Sequence, residues 1–422
     1  MALFSKGLVA AMEDEMAETI AMEPEGTDNM AADLVEVTDI SGDVEQGVQE
    51  AEQASDDAQQ LTRHIEVLTD AEGDGGAAPE TVEATEIAVE AIYNRLGIRR
   101  GKGTGFPALE SFTTKQGRAR STRQLIVALE EETKGIWAAI KRFFERLKEM
   151  VAKFISKVGA FLAKAMQSIK NVGLKLKSIS SNLASKKIDG NGIYQKLGCQ
   201  NGSDFKLNIS SNKVFENFNV VNRAANELVG FKPENLESFS VKPLSLNKSS
   251  NVKNQAPEGM QWYTAYDDKI ANISVCWPAS NATGEQALSL LSNVDVVENS
   301  NNLEESKEIS ILTQKDIENI NAFIPILEGL KKTGEEQQGI NSKAESSILN
   351  NFKINENVKT NSTLNAAITK NFTAPVKLAS MLASQATRIV PALNLWVSKS
   401  LEAAKEGEKP AEGAAPAAGA TA

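Results

Sequence analysis

Between Thr122 and Leu183 apolar side chains recur at Ile136, Ile140, Phe143, Leu147, Met150, Phe154, Val158, Phe161, Ala165, Ile169, Val172, Leu176, Ile179 and Leu183. Thirteen steps span 47 residues, a mean of about 3.6, which is the α-helical repeat rather than the 3.5 of a coiled coil. The opposite face carries Lys141, Arg142, Lys148, Lys153, Lys157, Lys164, Lys170, Lys175 and Lys177. Such a segment is committed to a long basic amphipathic helix whose apolar stripe must lie on something. Residues 304–404 of the same chain are the expected partner, with a lipid surface as the alternative. Gly159 and Gly173 are points at which the helix can bend or divide.

Charge is divided along the chain with the same sharpness. Residues 1–97 hold 24 Asp and Glu against Lys6, Arg63 and Arg95, a net of −21. Residues 98–187 hold 20 Lys and Arg against six acidic residues, a net of +14, and the remaining 235 are close to balance at −4. The overall −11 and the pI near 5.0 therefore describe neither block. Two opposed blocks attract each other or attract different partners, and the pattern is that of an acidic prosegment masking a basic product.

Five regions follow: an acidic segment 1–110, the basic helical region 111–187, a small α+β module 188–301, a C-terminal helical region 302–406 and a low-complexity tail 407–422. The fold class expected is mainly α. The acidic segment is disordered or partly helical, most readily over Val44–Leu68, because its charge and lack of aromatics oppose folding alone. A helix over Val82–Leu96 should end on Gly97. Within the module, Asp204–Ser210 and Lys269–Trp277 alternate like strands and Phe215–Leu228 reads as a helix. Further helices are expected over Gln314–Lys332, Gln337–Asn351 and Thr363–Ala404, the last broken near Pro375 and Pro391. The Ala/Gly/Pro/Glu tail is expected to be disordered. The start of the chain reads as neither a secretory signal nor a stop-transfer helix.

The residue inventory argues against catalysis. His64 is the single histidine, and it lies in the acidic segment, so the main body has no histidine for a Ser-His-Asp or Cys-His triad. Cys199 and Cys276 are the only cysteines, too few for a disulfide framework or a Cys/His zinc cluster. The loop Gly97-Ile98-Arg99-Arg100-Gly101-Lys102-Gly103 places three residues between glycines where a P-loop needs four, and Gly103 stands where the magnesium-binding hydroxyl belongs. Glu130, Glu131 and Glu132 suit a helix N-terminal turn better than an acid/base pair. No enzyme activity, cofactor or metal is expected.

Just after that loop comes Ala108-Leu109-Glu110, followed by Ser111. Pro107 and the nearby glycines predict an extended, accessible stretch, as a protease requires. The order of acidic block, Ala-x-Glu loop and basic amphipathic helix opening at Thr122–Glu130 resembles the internal head proteins and other structural precursors of giant tailed bacteriophages. The resemblance covers roughly the first 180 residues. It implies a propeptide cut after Glu110 by the prohead protease, with secondary cuts after Glu13, Glu23, Glu80, Glu86 and Glu90 that dice the propeptide. It also implies synthesis in the host cytoplasm, scaffold or capsid proteins as partners, and residence in the phage head.

Removal of residues 1–110 leaves a product of net +8. Such a product can stay with packaged DNA through phosphate contacts and counterion release. Lysines without interleaved stacking aromatics favour non-specific backbone contact over base reading. The alternative is a membrane-active protein that lays residues 136–172 in a lipid interface.

Overall fold

The computed structural model describes residues 28–97, 106–175, 186–205, 233–250, 252–300, 307–313 and 358–407, with scattered single residues between 220 and 228 and between 301 and 329. The first described element of the acidic segment is α1 (Asp28–Gly73). A turn through Gly75 and Gly76 leads to α2 (Pro79–Leu96), which starts at Pro79, three residues before the Val82 expected from the sequence, and ends on left-handed Gly97 as expected. A 3-10 turn at Leu109–Phe112 precedes α3 (Lys115–Lys175), the basic amphipathic helix. α3 is one helix that passes Gly159 and Gly173 without a break.

The small module follows. β1 (Lys187–Asp189) leads to a one-turn helix α4 (Tyr194–Leu197). Next come β2 (Ser240–Val241), β3 (Met260–Asp267), β4 (Ala271–Pro278) and β5 (Ala282–Thr283), then helix α5 (Gly284–Leu291), β6 (Asp295–Ser300) and β7 (Glu308–Ser310). The main sheet is antiparallel in the order β3-β4-β6, with a register shift at Thr264/Tyr266, and β1–β7 and β2–β5 form two further antiparallel pairs. Every residue of central β4 is buried, including the polar Asn272 and Ser274 of its alternating pattern, which hydrogen-bond to each other at 2.7 Å. Asp268 closes the β3–β4 turn by accepting from the Ile270 and Ala271 amides, each at 2.7 Å.

α6 (Val358–Gly407) is a single helix with Pro375 and Pro391 inside it, where two breaks are expected from the sequence. Each proline removes one amide donor from the ladder. Buried packing on both sides of each proline, at Phe372, Val376, Leu378, Ile389, Val390 and Leu393, keeps the axis in place. The expected strand at Asp204–Ser210 and the helices at Phe215–Leu228, Gln314–Lys332 and Gln337–Asn351 lie wholly or mostly outside the described residues, as does the tail beyond Gly407. Asp204 itself closes a 3-10 turn, Gly202–Asp204, whose cap is Asn201.

The centre of the molecule is a set of three long helices. α1 packs along α3 and α6, α6 also packs on α5 and β6, and a single contiguous core runs from Val37 to Ala404. α1 supplies Val37, Ile40, Val44, Val48, Ala51, Ala54, Ala58, Leu61, Ile65 and Leu68. Nine steps over 31 residues give a repeat of about 3.4, close to the 3.5 of helices that wrap round one another. Burying each Val, Leu or Ile of that stripe contributes about 1.5–3 kcal/mol. The acidic segment is thus folded by its neighbours, which supply the apolar surface that its own composition cannot.

Candidate functional site

The candidate cut lies between the helices of opposite charge. Ala108, Leu109 and Glu110 are exposed, and Ser111 is half-buried. In place of the extended stretch expected from Pro107, Leu109–Phe112 forms one turn of 3-10 helix. Local hydroxyls draw the turn tight: the Ser111 amide and Oγ both donate to the Ala108 carbonyl, at 2.8 and 2.6 Å, and Thr113 Oγ1 donates to the Glu110 carbonyl at 2.7 Å. Phe112 is fully buried, and its carbonyl accepts from Arg118 Nε at 2.6 Å. The Glu110–Ser111 bond is therefore a surface bond anchored on its C-terminal side. Opening one short turn makes it extended, and Phe112 can stay seated.

The secondary candidates stand in different surroundings. Glu80, Glu86 and Glu90 belong to α2, with Glu80 and Glu90 exposed and Glu86 half-buried. A protease reaching them must melt regular helix. Glu13 and Glu23 lie outside the described residues, as does the glycine loop 98–105. Between Asp28 and Gly73 the sequence contains no Ala-x-Glu at all.

Acidic α1 lies antiparallel to basic α3, as their ion pairs show. Glu72 lies 4.0 Å from Arg123, Glu36 lies 2.8 Å from Lys157, and Asp33 bonds Lys164. Two of the nine predicted polyanion-binding residues, Lys157 and Lys164, are thus occupied by α1. Arg142 and Lys153 are exposed. The side chains of Lys141, Lys148, Lys170 and Lys175, and the whole of Lys177, lie outside the described residues. Along the stripe, Phe154, Val158 and Phe161 are buried, at 3%, 6% and 1% exposure.

The most buried charges of the site escaped the sequence reading. Glu52 of α1 accepts from Lys370 (3.3 Å), Lys377 (2.9 Å) and Thr373 Oγ1 (2.7 Å), all on α6. Lys377 also reaches Asp295 of β6 at 2.9 Å. Burial alone would depress the Lys377 pKa, but Glu52 and Asp295 outweigh it and hold the ammonium above its ordinary value. Asp56, one turn on, is pushed above the usual carboxylate range by burial, which Lys370 only partly offsets. At the other edge of α1, Asp57 takes both Arg95 Nη2 (2.6 Å) and Nε (3.3 Å), tying α2 to α1. Three segments far apart in the chain make the network, so no local motif announced it.

Other features offer little chemistry. His64 is half-buried 3.5 Å from Thr85 Oγ1, and burial lowers its pKa. Cys199 and Cys276 are buried, and burial pushes both thiols up to about 12, so neither is a thiolate nucleophile at neutral pH. Among the described residues no group of three His, Cys, Asp or Glu is placed to hold a metal, and no helix is long and apolar enough to cross a membrane. An open polar cleft of about 560 Å³ between α1, α6 and the sheet is lined by both signs, including Asp56, Arg63, Glu66, Asp295 and Lys370.

No curated protein and no solved structure matches this chain. A family model does, over residues 28–242: that of the phiKZ-like phage internal head proteins. The match begins at the first residue of α1 and continues through α3 into the module, so it treats the acidic and basic helices as one unit. It covers half of the 422 residues, and the chain belongs to the phiKZ-like phage internal head proteins.

Proposed function

We propose that this internal head protein is made as a precursor, that the prohead protease cuts it after Glu110 during capsid maturation, and that its basic body is packaged with DNA as a structural, non-enzymatic component. One observation supports the reading: an exposed Ala-Leu-Glu turn stands in the sequence between the acidic helices α1 and α2 and the basic helix α3, along which α1 lies. In the precursor, α1 occupies Lys157 and Lys164 and keeps them from phosphate. Without residues 1–110 the protein changes from net −11 to +8, and non-specific, salt-sensitive DNA contact becomes favourable. Host-cytoplasmic synthesis and partnership with scaffold or capsid proteins belong to the same proposal.

Among the described residues nothing favours the lipid-surface alternative, since Phe154 and Phe161 are buried in the protein core. The decisive experiment is N-terminal sequencing and intact-mass measurement of the protein taken from assembled particles. A start at Ser111 is expected, with Glu110→Gln abolishing it in co-expression with the protease. Recovery of the intact 422-residue chain from particles overturns the maturation scheme.

A further inference from the structure

The candidate cut, itself at the surface, separates in sequence two parts that share one core. Everything N-terminal to Glu110 that the structure describes, α1 and α2, is held to the rest by contacts that a peptide-bond cut does not touch. The α1 stripe is buried to completion at Val44, Val48, Ala51, Leu61 and Leu68. Its ion pairs reach α3 at both ends, through Glu72–Arg123 and Asp33–Lys164, and α6 in the middle, through Glu52 with Lys370 and Lys377. The α1–α2 corner is hooked onto the start of α3. Gly76, at φ +106°, approaches so closely that a Cβ there would sit 2.4 Å from the Arg118 carbonyl carbon. Beside it the Ala77 amide donates to buried Thr122 Oγ1 at 2.8 Å.

The sequence adds an independent constraint. Because α1 contains no Ala-x-Glu, a protease with that preference leaves the helix whole even if it also cuts after Glu23 and Glu80. The expectation that the propeptide is diced therefore stops at the ends of α1. Phe112, on the product side of the cut, is buried and stays with α3.

We infer that cleavage nicks the protein without releasing its acidic helix: α1 stays docked against α3 and α6 as a separate chain that carries α2 with it, and release of Lys157 and Lys164 from their α1 carboxylates is a second event. The occupant of that surface is this chain's own residues 28–97, chosen by an apolar stripe of matching length and by opposite charge. The inference rests on the proposed cut after Glu110 for its place in maturation, but the surface can be tested without it.

A heterologous protease site placed between Gly97 and Phe106 of the full chain lets the nick be made at will. After cutting at physiological ionic strength, the acidic fragment is expected to co-elute with the body in gel filtration. The thermal midpoint should become dependent on protein concentration, as it must for two chains. Gly76→Ala, verified as folded by circular dichroism before cutting, should shed the fragment after cutting. Should that variant fail to fold, Glu52→Gln serves in the same way. Elution of the wild-type acidic fragment on its own under native conditions overturns the inference. Failure to find Ser111 at the N-terminus in particles would instead strike the maturation scheme and leave the docking result standing.

Discussion

α1 and α3 lie side by side and share one core, but they bury different kinds of side chain. α3 presents Phe154, Val158 and Phe161 from a stripe with the pure helical repeat, whereas α1 presents valines, leucines, isoleucines and three alanines, with no aromatic, at a tighter repeat. α1 also carries 13 Asp and Glu against the single cation Arg63, so its carboxylates repel one another along its length. The difference shows that a helix can be central to a core and still be unable to stand alone. α3 brings bulk and α1 brings fit, and the charge of each neutralises the other.

That contrast can be broken by substitution. Phe161→Ala should cost about 3–5 kcal/mol by opening a cavity. Ala54→Leu on α1 should cost about 1–3 kcal/mol for the opposite reason, since small residues there set the helix spacing. Both are read from denaturant unfolding of the full chain. A neutral Ala54→Leu would mean that α1 fits loosely and that the contrast is one of sequence only. Glu52→Ala, measured in the same way, removes the shared partner of Lys370 and Lys377 and should cost about 3 kcal/mol, as for a broken buried pair. Asp295 remains to hold Lys377, so Lys370 should show the greater effect. The smallest change is expected for Asp33→Asn. Its pair with Lys164 is partly exposed, so the loss should be about 0–1 kcal/mol and should vanish at high salt. A large, salt-independent loss would show that the pairing of the two helices is set locally at this end.

The sequence disclosed α3 because its apolar residues are large and strictly periodic, and it disclosed α2 because Gly97 marks its end, although its start at Pro79 reads as linker. α1 was harder to read. Its stripe is interrupted by buried Ser55 and Asp57, and the residues that stabilise it, Lys157, Lys370, Lys377 and Thr122, lie far away in the chain. A charge count recognises an acidic block but carries no information on which cation each carboxylate meets. The 3-10 turn at Glu110 shows the converse: Pro107 and the glycines suggested openness, but two hydroxyls three residues downstream of the carbonyls they bond decide the local shape. The uninterrupted α6 repeats the lesson, since the penalty of Pro375 and Pro391 is local and the packing that overrides it is not.

The length of α1 has a mechanical consequence. Forty-six residues of helix at a rise of about 1.5 Å each make a strip about 69 Å long, bonded to its neighbours from end to end. A strip of that kind does not lift off as a plate; it unzips from a free end. One end is clamped by the Gly76 corner, whereas toward the other, among the described residues, the ion pairs of Asp33 and Glu36 are partly exposed and lie ahead of buried Val37 and Ile40 and the Ser41–Ser380 hydrogen bond. Among the described residues the more easily lifted stretch of the strip is therefore the one around Asp33 and Glu36, at the opposite end of α1 from the corner that leads to the proposed cut after Glu110.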